Sequence, residues 1–184
     1  MDSHLVTKML NNALMMLERG DEADNVVDIL LDNLKSFRRL EKHDKRNVDS
    51  SKYPDGEYVV VDVGCRKNPG PTEYRGILMP SREEYFRVLP FDGTNNLGEF
   101  LAIVHAMAKM EKDGIKLPIY SDSQIAINWV NKKICKTNWE KYGLEHSKHL
   151  ADRALAWLKT HSYELPRKWQ TRDWGEIPAD YGRK

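Results

Sequence analysis

At 184 residues with a net charge of +1, the chain has room for one ordinary domain and an appendage, and it is not a strongly basic binder over its whole surface. No apolar run approaches the ~20 residues needed to span a membrane, so no membrane association is expected. Two cysteines, Cys65 and Cys135, are too few for a disulfide framework, and Met1-Asp2-Ser3-His4 lacks the basic start and apolar core of a secretory signal; together they point to a reducing cytoplasm.

Residues 4–43 read as two helices. Leu5, Met9, Met16 and Leu17 recur at roughly helical spacing, and a second stripe runs Val26, Val27, Leu30, Leu31, Leu34, Phe37 after a break at Gly20. The polar, aperiodic stretch from Lys42 to Ser51 reads as a linker, and Pro54-Asp55-Gly56 as a turn. Residues 1–50 therefore form a helical N-terminal extension and linker, and residues 51–184 a second domain. The extension holds 8 Lys and Arg against 10 Asp and Glu, the remainder 21 against 18.

From Tyr58 the pattern changes. Tyr58–Val63 is a β-branched run expected to be a strand buried on both faces. Glu73–Met79 and Glu84–Leu89 read as further strands. Leu97, Phe100, Leu101, Val104, Met107 and Ala108 share one helical face. A short strand Leu117–Tyr120, a helix Ser123–Asn131, a long helix Leu144–Thr160, a strand near Tyr163–Gln170 and a short terminal helix complete the series. That order specifies an α/β layered domain with a mixed sheet.

Five acids stand out against this frame. Asp62 interrupts Val59-Val60-Val61-Asp62-Val63, where a lone carboxylate costs several kcal/mol unless it is paired or bound to a cation. A bond to neighbouring backbone at a strand end is the plainer alternative. Glu99 in Asn96-Leu97-Gly98-Glu99 also fits a capping box with Asn96 as N-cap, and Asp122 fits an N-cap for the helix from Ser123. Glu176 and Asp180, four apart on an expected helical turn, are either a solvated acidic face or a pair whose repulsion a divalent cation offsets. Taken together, acids at the end of a central strand and at the starts of flanking helices occupy the positions where open α/β sheets build sites. Hard oxygen donors without clustered Cys or His favour magnesium, with manganese as the substitute, over zinc.

The settings of these acids carry a resemblance. Asp62-Val63-Gly64-Cys65-Arg66-Lys67-Asn68-Pro69-Gly70-Pro71, Thr94-Asn95-Asn96-Leu97-Gly98-Glu99-Phe100 and Ser121-Asp122-Ser123-Gln124 closely resemble the type-1 ribonuclease H family. The ending from Gly175 to Lys184 is similar to the bacterial branch typified by the Bacillus halodurans enzyme. The resemblance covers Tyr58 to Lys184 and implies a five-stranded mixed sheet flanked by helices. It implies endonucleolytic hydrolysis of the RNA strand of RNA–DNA hybrids with two Mg2+ ions. Asp62, Glu99, Asp122 and Asp180 would be the metal carboxylates, and Glu176 a mobile acid beside them. The loop from Gly64 through Cys65 to Asn68, with Asn95, Asn96, Ser123 and Gln124, would contact the RNA strand. Thr94 and Thr137 would form a pocket for a DNA phosphate. A non-catalytic hybrid-binding module on the same fold is the alternative. Residues 1–50 do not resemble the small hybrid-binding domain that often precedes such enzymes; they are expected either to pack as a helical hairpin on the catalytic domain or to form a homodimer or partner interface through the Val26–Phe37 stripe.

Overall fold

Val59, Val60 and Val61 are fully inaccessible to solvent, and the strand that carries them is the middle strand of the sheet. The computed structural model describes residues 50–181 continuously and, before them, residues 10, 11, 13, 14, 17, 18, 23, 26–28, 30 and 31. The chain divides into two compact units, Met1–Asn47 and Val48–Lys184. In the first, the described residues are helical. Ala13 and Val26 are buried there, while Leu10, Leu14, Leu17, Val27 and Leu31 are exposed. The expected stripe residues Leu5, Met9, Met16, Leu34 and Phe37, the break at Gly20 and most of the linker lie outside the described residues.

The second unit opens with a 3-10 turn at Ser50–Lys52 and then runs β1 (Tyr58–Cys65), β2 (Gly70–Met79), β3 (Glu83–Gly93), α1 (Asn95–Asp113), β4 (Ile119–Ser121), α2 (Gln124–Lys132), α3 (Trp139–Tyr142), a 3-10 turn at Glu145–Ser147, α4 (Lys148–Thr160), β5 (Arg167–Lys168) and α5 (Thr171–Trp174). The five strands form one sheet in the order β3-β2-β1-β4-β5. β1 to β3 are antiparallel neighbours, whereas β4 pairs with β1, and β5 with β4, in parallel. This is the five-stranded mixed sheet flanked by helices that the motifs imply.

Alternation along β1 separates two cores. Val59, Val61 and Val63 face the large one, with Leu97, Phe100 and Ile103 of α1 and Leu158 of α4. Tyr58 and Val60 face a smaller, aromatic one with Tyr120, Trp169, Ile177 and Ala179. A strand buried on both faces carries apolar residues at successive positions rather than alternate ones, which is why Tyr58–Val63 was readable as central.

Several boundaries differ from expectation. The strand expected over Tyr163–Gln170 is paired only at Arg167–Lys168, because the segment before it packs by side chains such as Tyr163 against Trp157 rather than by a ladder. The long helix expected from Leu144 begins at Lys148, preceded by the 3-10 turn. A four-residue helix at Trp139–Tyr142, capped by Asn138 and ended by Gly143 in the left-handed region, was not anticipated.

Gly98 sets how closely α1 approaches the sheet. A Cβ there would lie 2.4 Å from Val63 Cγ2 and 2.6 Å from Thr72 Cγ2, so the first turn of α1 sits directly on β1 and β2. For Gly98→Ala, overpacking costs ~1–3 kcal/mol against up to ~1 kcal/mol gained in helix propensity. A net loss of stability is expected in urea unfolding. A variant as stable as the parent would mean that the helix backs away without cost.

Candidate active site

A central strand, the first turns of α1 and the segment between β4 and α2 each deliver an acid to the same place. Asp62 is the fifth residue of β1 and only 6% exposed. Glu99 lies one turn inside α1 and is 3% exposed. Asp122 follows β4 and is partly buried. One carboxylate oxygen from each lies within 4.8 Å of the others. Asp180, also buried, is close enough that its charge acts on Asp62.

Two helix caps differ from expectation. The N-cap of α1 is Thr94, whose Oγ1 accepts from the Leu97 N–H at 3.2 Å; Asn96 is already helical. Glu99 is therefore not the reciprocal partner of a capping box. Instead its Oε2 accepts from Ser121 Oγ at 3.4 Å. Likewise Ser123, not Asp122, caps α2, accepting from the Ala126 N–H at 3.3 Å. In both helices a hydroxyl does the capping, which leaves the carboxylate turned to the cluster. The terminal pair also differs from expectation. α5 ends at Trp174, Glu176 is exposed in the bend that follows, and Asp180 closes a turn whose N–H donates to Ile177 O at 2.8 Å. Glu176 and Asp180 thus do not share a helical face.

Burial pushes the Asp62 carboxyl well above the ordinary carboxylate range, and the charges of Asp122 and Asp180 push it further. A bond from the Val63 backbone and the charge of Arg75 oppose the shift. Glu99 is raised for the same reasons, first burial and then Asp62 and Asp122, with the Ser121 hydroxyl opposing. An acidic cluster held this way is poorly stable alone as a set of charges. Its donors are all hard oxygens, and among the described residues it is the one group of three or more acidic, His or Cys ligands close enough to hold a metal ion. The residues fit a hard divalent cation.

The expected contact residues surround this end of the sheet. Gly64 is buried on β1. Cys65 is a free thiol that donates to Lys67 O at 2.6 Å and accepts from Thr72 Oγ1 at 3.3 Å. Asn68 Oδ1 accepts from the Asn95 N–H at 3.0 Å, which ties the β1–β2 loop to the start of α1, where Asn96 is also partly buried. Gln124 is exposed and bonded to Asn128. Thr137 lies between α2 and α3, its hydroxyl 3.6 Å from Cys135 Sγ. Three further residues, which no motif singles out, complete the surroundings of the acids. Ser121 is fully buried between Glu99 and the Ser123 N–H. Lys168 Nζ donates to the Asp122 carbonyl. Arg75 is 1% exposed and sits opposite Asp62 in the β1–β2 register. Arg75, within the expected strand Glu73–Met79, was a visible charge in a strand that is otherwise mostly apolar.

The fold and site together define an α/β protein with a buried acidic centre suited to a divalent cation. The sequence model of the family described as RNase H matches residues 55–171, and the chain belongs to that family. Among curated relatives it is 32% identical to a Ribonuclease H of Hahella chejuensis over 125 residues, covering 56% of this chain and 80% of that one. It is 29% identical to a Ribonuclease H of Caldicellulosiruptor saccharolyticus over 116 residues, covering 59% and 79%. Among solved structures, RNase H1 of the halophilic archaeon Halobacterium salinarum NRC-1 is similar at 18% identity with a TM-score of 0.44, over 64% of this chain and 88% of that one.

The raised Asp62 carboxyl has a consequence for stability. Its folded form holds a proton more tightly than its unfolded form, so its contribution is most favourable below the unfolded pKa and is lost as pH rises through the folded one. Asp62→Asn is therefore expected to melt at a higher temperature than the parent in metal-free buffer at pH 8, with the difference shrinking toward pH 4. Adding a divalent cation at pH 8 should stabilise the parent but not the variant. Thermal melts that show the opposite order would contradict the burial argument.

Proposed function

We propose that this chain is a magnesium-dependent endonuclease that hydrolyses the RNA strand of RNA–DNA hybrids. The observation that carries the reading is the convergence of Asp62, Glu99 and Asp122 within 4.8 Å in a member of the RNase H family. Asp62, Glu99, Asp122 and Asp180 would hold two Mg2+ ions, for which Mn2+ is the natural substitute. When bound, the ions supply an activated water and stabilise the leaving oxyanion. Asp62 is delivered from a rigid central strand and Glu99 from a helix pinned by Gly98, so little reorganisation is required of either.

Hybrid recognition follows from groups around the acids. Discrimination of RNA depends on the 2′-hydroxyl, displayed in the wide minor groove of an A-like helix. We assign its contacts to Gly64, Cys65, Asn68, Asn95, Asn96, Ser123 and Gln124. The link between Asn68 and the Asn95 backbone supports these two loops acting as one surface. Thr94 and Thr137 are assigned to a DNA phosphate. The Thr94 oxygen accepts from Leu97, and its O–H remains a donor. Glu176, exposed next to the Asp180 turn, is assigned to metal turnover or product release. The alternative, a non-catalytic hybrid-binding module, is disfavoured because every acid of the set is present.

Residues 51–184 are taken as the catalytic domain and residues 1–50 as its extension. The two free thiols fit a reducing cytoplasm. The exposed Leu10, Leu14, Leu17, Val27 and Leu31 support a homodimer through the extension.

The cleavage reading is tested with labelled RNA–DNA hybrid, duplex DNA and duplex RNA, each with and without magnesium. Only the hybrid is expected to be cut, in its RNA strand and only with the cation. Asp122→Asn should fold normally and lose at least about a hundredfold in rate; an unimpaired rate removes Asp122 from the chemistry. Sedimentation of the full chain against a chain beginning at Lys52 tests the dimer, and monomer masses for both would reject it.

A further inference from the structure

Arg75 is the least expected residue in the sheet. Its guanidinium is almost completely buried, a placement that costs several kcal/mol per charge unless fully satisfied. An apolar side chain of similar size would fill the same space at lower cost. Two of its donors are satisfied across more than a hundred residues of sequence. Nε donates to the Ala179 carbonyl at 2.8 Å and Nη2 to the Asp180 carbonyl at 2.7 Å.

A second contact fastens the same segment. The Tyr181 ring lies under the Arg75 guanidinium at 4.7 Å and the Arg87 guanidinium at 5.7 Å. Arg87 is in turn held by Glu84, with a bond of 2.6 Å, and lies 3.9 Å from Glu73. The residue before Asp180 and the residue after it are thus each fixed to the β2–β3 pair. Arg75 also stands opposite Asp62 in register, so the side chain that holds the Asp180 turn comes from the position on β2 paired with Asp62 of β1.

We propose that Arg75, with Tyr181 seated on it, is a positioning residue that sets the place of the Asp180 carboxylate relative to Asp62 and thereby the affinity for the divalent cation. This rests on the reading of Asp180 as a cation ligand. Arg75 would act through the backbone, since its bonds go to the Ala179 and Asp180 carbonyl oxygens. Groups that orient metal ligands from outside the ligand set change affinity by about 10–100-fold when removed.

The test uses the full chain with Arg75→Met, Arg75→Lys, Tyr181→Leu and Asp180→Asn. Two quantities are read: the magnesium dependence of hybrid cleavage, and magnesium binding without substrate by titration calorimetry. Arg75→Met and Tyr181→Leu are expected to weaken magnesium binding about tenfold and to raise its half-saturating concentration equally. The KM for hybrid should stay unchanged and kcat should recover at high magnesium. Arg75→Lys, which keeps the charge but not the fork, should fall between. A merely structural role would lower the melting temperature and leave both magnesium curves in place, which overturns the proposal. If Arg75→Met does not fold, Tyr181→Leu decides alone, with a shifted curve supporting the proposal and an unshifted one overturning it. If Asp180→Asn binds and responds to magnesium as the parent does, the ligand reading falls and the proposal falls with it. If Asp180→Asn is impaired while Arg75→Met and Tyr181→Leu match the parent, the proposal alone falls.

Discussion

The structure is organised around a repulsion. Three carboxylates are held within 4.8 Å at the end of a central strand, two of them almost wholly out of water. Nothing in chain folding favours that gathering by itself; burial and like charge both oppose it. It exists because the rest of the fold leaves the acids no alternative. β1 is fixed by neighbours on both sides, α1 is pressed onto the sheet through Gly98, and the helix caps are taken by Thr94 and Ser123. The stability forgone at the cluster is regained in two apolar cores, and a divalent cation, which the hard oxygen donors suit, would offset the repulsion. Sites of this kind are where local preference and global structure are expected to disagree.

That disagreement also explains what the sequence made legible. Asp62 was conspicuous because an acid inside a β-branched run has no ordinary explanation. The central strand, the two antiparallel strands after it and α1 were readable because their patterning is long and strong. The caps were misassigned because Asn96 and Asp122 are as good cap formers as Thr94 and Ser123 on local chemistry alone. Which one serves is decided by where the helix must sit on the sheet. β5 was placed correctly but drawn too long, since its apolar and aromatic residues pack as side chains outside the ladder. The terminal acids were drawn onto a helix because a four-residue spacing carries no information about the turn at Gly175 and Pro178.

Arg75 illustrates a different blindness. A single Arg in a strand reads as an edge or surface residue, and only the return of the chain 104 residues later supplies its partners. Its role depends on topology, which residue-by-residue reading does not contain. The smaller core shows the same dependence. Tyr58, Tyr120, Trp169 and Trp174 form a connected set of edge-to-face and tilted rings, drawn from β1, β4, the residue after β5 and α5 and closed by Ile177 and Ala179.

The outer strand β3 has one more effect. It is eleven residues long and lies at the border of the sheet, a length at which unpaired backbone invites another molecule to add itself as a sixth strand. Two register breaks against β2, a proline at position 90 and acids at positions 83, 84 and 92 make that edge irregular and charged. Strand addition is thereby discouraged, which guards the sheet against knitting copies of the protein together edge to edge.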